Sequence, residues 1–333
     1  MKIAILGAGA IGGYLAVRLA RAGNDVSVLI RGPNLAAVRA HGMKLRIDGG
    51  EEIAQVAASD RIADLGVQDL VIMAMKAHQV AAVAADMGPL LGPDTVILTA
   101  QNGVPWWYFR KHGGPYDGLR VEAVDPGGAV SSHIDVERVI GCIVYPACDM
   151  PAPGVIRHIE GNRFSLGEID GASTERIRAV AEAFRNAGFK SPITNDIRSE
   201  IWLKLWGNVS FNPISALTHA TLVDICEYAP TRDLAARMMT EAQAIGEKLG
   251  VSFKVSLDKR IAGAAAVGKH KTSMLQDVES GRPMELDALV TSVIDMGKIT
   301  GLPTPAIETV YALASLLARS LREQSGKLRI TPP

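Results

Sequence analysis

Apolar positions run in two different rhythms along this chain. Through the first half, short unbroken apolar runs ("KIAIL", "DVSVLI", "DLVIMAM", "DTVILTA") alternate with helical spacing, as in "GGYLAVRLARAG" and "HQVAAVAADMGPLL". A strand that is apolar on both faces must be covered on both, so this alternation predicts a parallel sheet with helices on either side. Between 139 and 167, "VIGCIVYPA", "GVIRHIEG" and "RFSLGE" predict strands joined by short turns, a mixed or antiparallel extension of the same sheet.

After Pro192 the strand-like runs stop. Helical periodicity predicts helices over 196–217, 231–249, 284–300 and 305–322, with Pro283 and Pro305 near two of the starts, where a missing amide costs nothing. Pro213 falls inside the first of these and is expected to kink or end it. The terminal "GKLRITPP" is expected to fray.

The loop after the first strand reads "GAGAIG", placing Gly7, Gly9 and Gly12 in G-x-G-x-x-G register between a strand and a helix. Gly7 permits the tight turn, Gly9 lets the backbone approach a pyrophosphate, and Gly12 allows helix and strand to pack closely. Residues Gly7, Ala8, Gly9, Ala10, Ile11 and Gly12 are therefore the expected phosphate cradle, at the positive end of a helix. The fold class that follows is α/β: an N-terminal Rossmann dinucleotide-binding domain over 1–192, then an all-helical C-terminal domain over 193–333.

The second strand closes on "VLIRG", so Arg31 stands where the ribose of a dinucleotide is read. A carboxylate there suits the 2′-hydroxyl of NAD, whereas an arginine offers a planar fork of donors to the 2′-phosphate of NADP. NADP(H) is the sharper reading, and a solvated strand-end arginine is its alternative. Two further strand ends carry Lys76 ("MAMKAHQV") and Asn102 ("LTAQNGV"), at the edge where ligands bind in open α/β sheets. In the helical half, "SEIWLKLWGNVSFNPISAL" spaces Lys204, Asn208 and Asn212 four apart along one side of an otherwise apolar helix. Such a helix is expected to be buried, and a lysine within it needs a partner or a catalytic purpose. Ser273 and Glu285 lie in "KTSMLQDVESGRPMELDAL"; taken alone both read as structural, with Glu285 favoured near a helix start by the dipole.

Composition narrows the class. Of 333 residues, 48% are hydrophobic and 21% charged, which specifies a folded chain, and the length suggests two domains. The 35 basic and 35 acidic residues cancel, without a basic stripe, so neither nucleic acid nor a membrane surface is the expected partner. Only Cys142, Cys148 and Cys226 are present, spaced for neither a disulfide framework nor zinc, and the seven histidines show no ligand spacing. No metal site and a cytoplasmic location are expected.

The ordered set "GAGAIGG", "IRG", "MKAHQV", "QNGV", "WLKLWGNVSFNP", "TLVDI", "TSMLQD", "ELDAL" and "GLPTP" resembles the ketopantoate reductase (2-dehydropantoate 2-reductase) family over nearly the whole chain. The resemblance implies a Rossmann domain and a helical domain, with NADPH and a small-molecule 2-oxo acid in the cleft between them. Position by position it implies Lys204 as the proton donor and Asn208, Asn212 and Ser273 as substrate contacts. It further implies Asn102 near substrate and nicotinamide, Lys76 on the cofactor edge, and Ala147 against the cofactor. Glu285 would stand beside the nicotinamide ribose and influence Lys204, a share in catalysis. A homodimer is compatible with a domain of this kind. The chain departs from the family in an aromatic-rich segment over 105–128, with Trp106, Trp107, Tyr108 and Phe109 as loop anchor, pocket wall or lid. It departs again at Leu222, where some members use an asparagine. Alternatives are an NADP-dependent dehydrogenase of another 2-oxo or 3-hydroxy acid, and a non-catalytic NADP sensor.

Overall fold

In the computed structural model, which describes residues 1–325, the chain separates into two compact units. The first comprises Met1–Arg120 and Asp125–Ile197; the second comprises Val121–Val124 and the chain from Arg198 onward. The terminal "GKLRITPP" lies outside the described residues.

The first unit runs β1 (Lys2–Leu6), α1 (Ala10–Arg21), β2 (Asp25–Leu29), α2 (Pro33–His41), β3 (Met43–Ile47), β4 (Gly50–Ala54), β5 (Ala57–Ser59), β6 (Gln68–Met73), α3 (Ala81–Ala84), β7 (Leu91–Thr99), β8 (Val139–Val144), β9 (Ala147–Ala152), β10 (Val155–Glu160), β11 (Phe164–Glu168) and α4 (Glu175–Asn186). Seven strands form the main sheet in the order β11-β8-β7-β6-β1-β2-β5. All neighbours are parallel except β11, which runs antiparallel to β8. The apolar strands named from sequence fill its centre: Ile3, Ile5, Leu70, Ile72 and Leu98 are fully buried.

Two expectations change. The strands between 139 and 167 do not all extend one sheet: β8 and β11 join it, whereas β9 and β10 build a second, four-stranded sheet, β4-β3-β10-β9. That sheet covers α1, whose Gly13 admits the Ile156 side chain so closely that a Cβ would stand 2.5 Å from its Cδ1. The helix expected over 78–91 reduces to a 3-10 turn at Ala77–Gln79, the one-turn α3 and a second 3-10 turn at Gly88–Leu90. Gly88 and Pro89 break the ladder, and Val80, Ala84, Met87 and Leu90 bury the apolar side of these short pieces. The helices α2 and α4 were not anticipated.

The second unit is helical: α5 (Ile197–Thr218), α6 (Leu222–Glu227), α7 (Ala229–Lys248), α8 (Leu257–Ala266), α9 (Ser273–Glu279), a π-helical stretch at Asp287–Thr291, α10 (Ser292–Thr300) and α11 (Pro305–Glu323). Pro213 does not end α5, which continues to Thr218. Burial of Phe211, Ile214 and Ala216 around it holds the helix across the lost amide. Trp202 and Trp206 of α5 are wholly buried; Trp206 Nε1 donates to the Met239 carbonyl of α7 at 2.7 Å. The Glu241 carboxylate accepts the Ala306 and Ile307 amides at 2.8 and 3.0 Å, capping α11 from α7. Among the described residues no helix is long and apolar enough to cross a membrane.

Candidate active site

Strand register aligns the chemistry of the first unit. Leu6 pairs with Leu29 and Met73, Leu29 with Ser59, and Met73 with Thr99, so five parallel strands reach the same row at their carboxyl ends. Beyond that row follow the glycine loop after β1, Arg31 two residues past β2, Lys76 three past β6 and Asn102 three past β7. Because β1 lies between β6 and β2, the chain crosses to opposite sides of it, and a ligand crevice forms at such a switch point.

The three glycines differ in what demands them. Gly7 has φ +90°, and a Cβ there would stand 2.7 Å from the Met75 backbone. At Gly12 a Cβ would stand 2.3 Å from the Gly7 carbonyl oxygen. The protein's own packing thus requires glycine at both. At Gly9 φ is −74° and a Cβ would meet no atom within 4 Å, so nothing in the chain itself excludes a side chain there. A group that approaches this backbone from outside, as a pyrophosphate does, supplies the missing reason. The Gly7 and Ala8 amides donate to the Leu29 carbonyl and the Gly9 amide to the Gly7 carbonyl. The ladder of α1 begins with Gly13 N–H to Gly9 O, so the amides of Ala10, Ile11 and Gly12 precede it and suit an anion. These residues fit a dinucleotide phosphate.

The loop opens on a cleft of about 1080 Å³, whose walls include Gly7, Gly9, Arg31, Asn34, Arg61 and Met150. Arg31 is exposed, and among the described residues it makes no ion pair. Gly32 follows at φ +62° and lets the chain turn directly into α2, which has no side-chain cap and no acidic residue in its first turn. A second basic residue, Arg61, and the amide of Asn34 also reach this cleft; neither was anticipated, because the three-residue β5 carries too short an apolar signal to be read as a strand.

Lys76 is half-buried, with its amide donating to Gln79 Oε1 at 3.3 Å and its carbonyl accepting the Gln79 amide. Asn102 is half-buried in the turn that Gly103 makes at φ +87°. Ala147 opens β9 in the second sheet, paired with Glu160. The next residue, Cys148, has its thiol pushed up to about 12 by burial and by the neighbouring Asp149 charge. The aromatics after Asn102 are core: Trp106, Trp107, Tyr108 and Phe109 are at most 5% exposed. Trp107 Nε1 donates to Thr99 Oγ1 at 3.0 Å, and its ring covers Gly141. They anchor the segment rather than close over a ligand.

In the second unit, Lys204, Asn208 and Asn212 do share a side of α5. Lys204 and Asn208 are half-buried and Asn212 is 5% exposed, so the stripe deepens along the helix. The expectation of a buried Lys204 is corrected: its position is at the outer end of this gradient. Asn212 Nδ2 donates to Ser273 Oγ at 3.4 Å, joining two substrate candidates 61 residues apart. Ser273 is the first residue of α9, set there by Thr272, whose hydroxyl caps the Leu275 amide. Arg282 bonds Asp277 by guanidinium at 3.1 Å and by backbone at 2.8 Å, fixing the chain that leads to Glu285. Glu285 is half-buried just before the π-helical stretch; such stretches recur at functional sites. The helix expected over 284–300 begins instead at Leu286 and is π-helical over Asp287–Thr291. Leu222 is half-buried at the first position of α6, its amide held by the His270 carbonyl at 3.0 Å.

Comparison with known proteins identifies the family. Residues 3–106 match the family model described as ketopantoate reductase PanE/ApbA, and 196–318 match that of its C-terminal part. The chain is 56% identical over 319 residues to a 2-dehydropantoate 2-reductase of Mesorhizobium japonicum, covering 96% of this chain and 98% of that one. A solved structure from Ralstonia solanacearum MolK2, ascribed to the ketopantoate reductases, shares 42% identity and a TM-score of 0.92, covering 96% and 98% of the two chains. A 2-dehydropantoate 2-reductase structure from Geobacter metallireducens shares 28% identity and a TM-score of 0.83, covering 95% and 99%. With its dinucleotide loop, its lysine–asparagine helix and a relative this similar over almost its full length, the chain belongs to the ketopantoate reductase family.

Proposed function

We propose that this protein is a 2-dehydropantoate 2-reductase, reducing ketopantoate to pantoate with NADPH. The observation that carries the substrate half is the Lys204–Asn208–Asn212 stripe joined to Ser273 by the Asn212 hydrogen bond. The cofactor half rests on Gly9, a glycine that no contact within the chain requires, in the G-x-G-x-x-G loop, and on Arg31 in the same cleft. The segment 1–192 serves as the nucleotide domain and 193–333 as the substrate domain.

When bound, NADPH supplies a hydride to C2 of the 2-oxo acid. The residues that would hold it are Gly7–Gly12 for the pyrophosphate, Arg31 for the 2′-phosphate, and Lys76, Asn102 and Ala147 along its length, with Glu285 at the nicotinamide ribose. The chain's own part follows from charge. As the carbonyl oxygen of the substrate gains alkoxide character, the Lys204 ammonium stabilises it and transfers a proton to it, leaving a neutral amine to be reprotonated from solvent. Asn208, Asn212 and Ser273 donate hydrogen bonds to the substrate's carboxylate and hydroxyl groups without adding charge. Half-burial of Lys204 suits this role, since the side chain can reach a bound substrate while water is partly excluded around it. Glu285 orients and electrostatically supports Lys204.

The cytoplasm is the compartment we propose, consistent with three cysteines that are all free. A homodimer is the proposed assembly; one structural neighbour is named as a dimeric ketopantoate reductase from Staphylococcus aureus. Steady-state kinetics with ketopantoate on wild type and Lys204→Ala test the reading. Turnover that collapses in the variant with NADPH affinity retained supports it, and equal modest losses in both would reduce Lys204 to a structural residue.

A further inference from the structure

The second arginine of the cofactor cleft carries an inference that rests on the NADPH reading and deepens it. β2 and β5 are parallel neighbours with Leu29 opposite Ser59, and the Ile30 amide continues the ladder onto the Ser59 carbonyl at 2.9 Å. Counting two residues past that pair on each strand gives Arg31 and Arg61, so the two guanidinium side chains start from equivalent places on adjacent strand ends. Both line the cleft that also receives Gly7 and Gly9.

The backbone that presents Arg61 is fixed. Its amide donates to Ser59 Oγ at 3.1 Å, and that hydroxyl donates to Asp64 Oδ2 at 2.6 Å, closing a polar turn ahead of the 3-10 helix Ile62–Leu65. The side chain itself is loosely engaged: Arg61 Nε lies 3.7 Å from Asp64 Oδ1, with the two side chains 74% and 45% exposed. An ion pair so open to water is worth little and does not compete with a dianionic ligand. Asn34 lines the same wall, with Oδ1 accepting the Gly154 amide at 3.1 Å, an anchor that leaves its Nδ2 as a further donor. Asp60 also lines the cleft, a charge of the same sign as a phosphate, which a single arginine would have to offset.

We propose that Arg61 is a second determinant of NADP(H) specificity, closing on the 2′-phosphate from the β5 side while Arg31 closes from the β2 side. A phosphate held by two guanidinium groups gains a second fork of donors beyond the one that a single arginine provides.

The experiment is fluorescence titration of wild type, Arg61→Ala and Arg61→Lys with NADPH, NADH, adenosine 2′,5′-bisphosphate and 5′-AMP at low and moderate salt. The proposal expects Arg61→Ala to weaken NADPH and the bisphosphate by about five- to tenfold, within the range of a charge-assisted bond discounted for exposure. NADH and 5′-AMP, which lack the 2′-phosphate, should bind as before, Arg61→Lys should recover part of the loss, and added salt should narrow the difference. Equal weakening of all four ligands, or no change with NADPH, overturns the role of Arg61 while wild-type preference for NADPH still stands. A wild type that binds NADPH and NADH alike overturns the cofactor reading and the role of Arg61 together.

Discussion

Replacing Gly9 and Gly12 by alanine separates what the ligand requires from what the fold requires. At Gly12 the new Cβ would stand 2.3 Å from the Gly7 carbonyl oxygen and 3.2 Å from the Ala74 side chain. Neither the turn nor the helix can yield without losing its own bonds, so Gly12→Ala should cost about 3 kcal/mol, the upper end for overpacking. At Gly9 the backbone is at φ −74° and no atom stands within 4 Å of the new methyl group. Gly9→Ala should therefore change stability by no more than about 0.5 kcal/mol. The same methyl group sits where the pyrophosphate must approach the amides of the first turn of α1. Losing one charge-assisted bond there corresponds to about 1.5–3 kcal/mol, or roughly a ten- to hundredfold rise in the Kd of NADPH. Denaturant unfolding without cofactor reads the first quantity and NADPH titration reads the second. Gly9→Ala that binds NADPH like wild type, or that loses as much stability as Gly12→Ala, would refute the assignment of this loop to the pyrophosphate.

Other perturbations read the substrate side and the second sheet. Lys204→Ala should lower kcat by about 10²–10⁴, the range for a positioned general acid, with the Kd for NADPH changed less than about twofold, as measured by single-turnover and titration experiments. Asn212→Ala and Ser273→Ala should each raise KM for ketopantoate by roughly tenfold. Because these side chains bond one another, the double variant should fall short of the product of the two single effects in a mutant cycle. Cys148, with an ordinary value of 9.0 and a folded value of about 12, supplies stability that is complete below pH 9 and is lost as the pH climbs towards 12. The unfolded thiol ionises first, so unfolding free energy should drop by about 1.4 kcal/mol between neutral pH and pH 10 from this residue, and Cys148→Ala should remove that part of the slope.

How much of this was legible in the sequence depended on how local each signal is. The main parallel strands and the glycine loop announce themselves within a few residues, because a two-sided apolar strand and a G-x-G-x-x-G turn are each short patterns. Lys204, Asn208 and Asn212 were found by helical spacing alone. The second sheet is not legible in the sequence, since β3 pairs with β10, more than a hundred residues away, and β4 is mostly exposed. Its signal was present in the strict alternation Met43, Lys44, Leu45, Arg46, Ile47, where the first and third side chains are buried. The continuous helix expected after β6 does not form: its alanines and valines suit a helix of any length, and Gly88 and Pro89 bar one that runs on to Leu91. Arg61 carries no signal of its own in the sequence, because its position becomes meaningful only once β5 is laid beside β2. The depth of Lys204 along α5 was likewise a matter of packing, decided by neighbours that the periodicity of one helix does not name.

The most direct test of the whole account is NADPH absorbance followed with purified protein and ketopantoate, with NADH and other 2-oxo acids in parallel. Rapid NADPH oxidation with ketopantoate, a marked preference over NADH, and pantoate as the product are expected. Turnover confined to a different 2-oxo acid would keep the Lys204 chemistry but contradict the substrate. NADPH that binds tightly and is never oxidised by any of these acids would contradict the reductase itself.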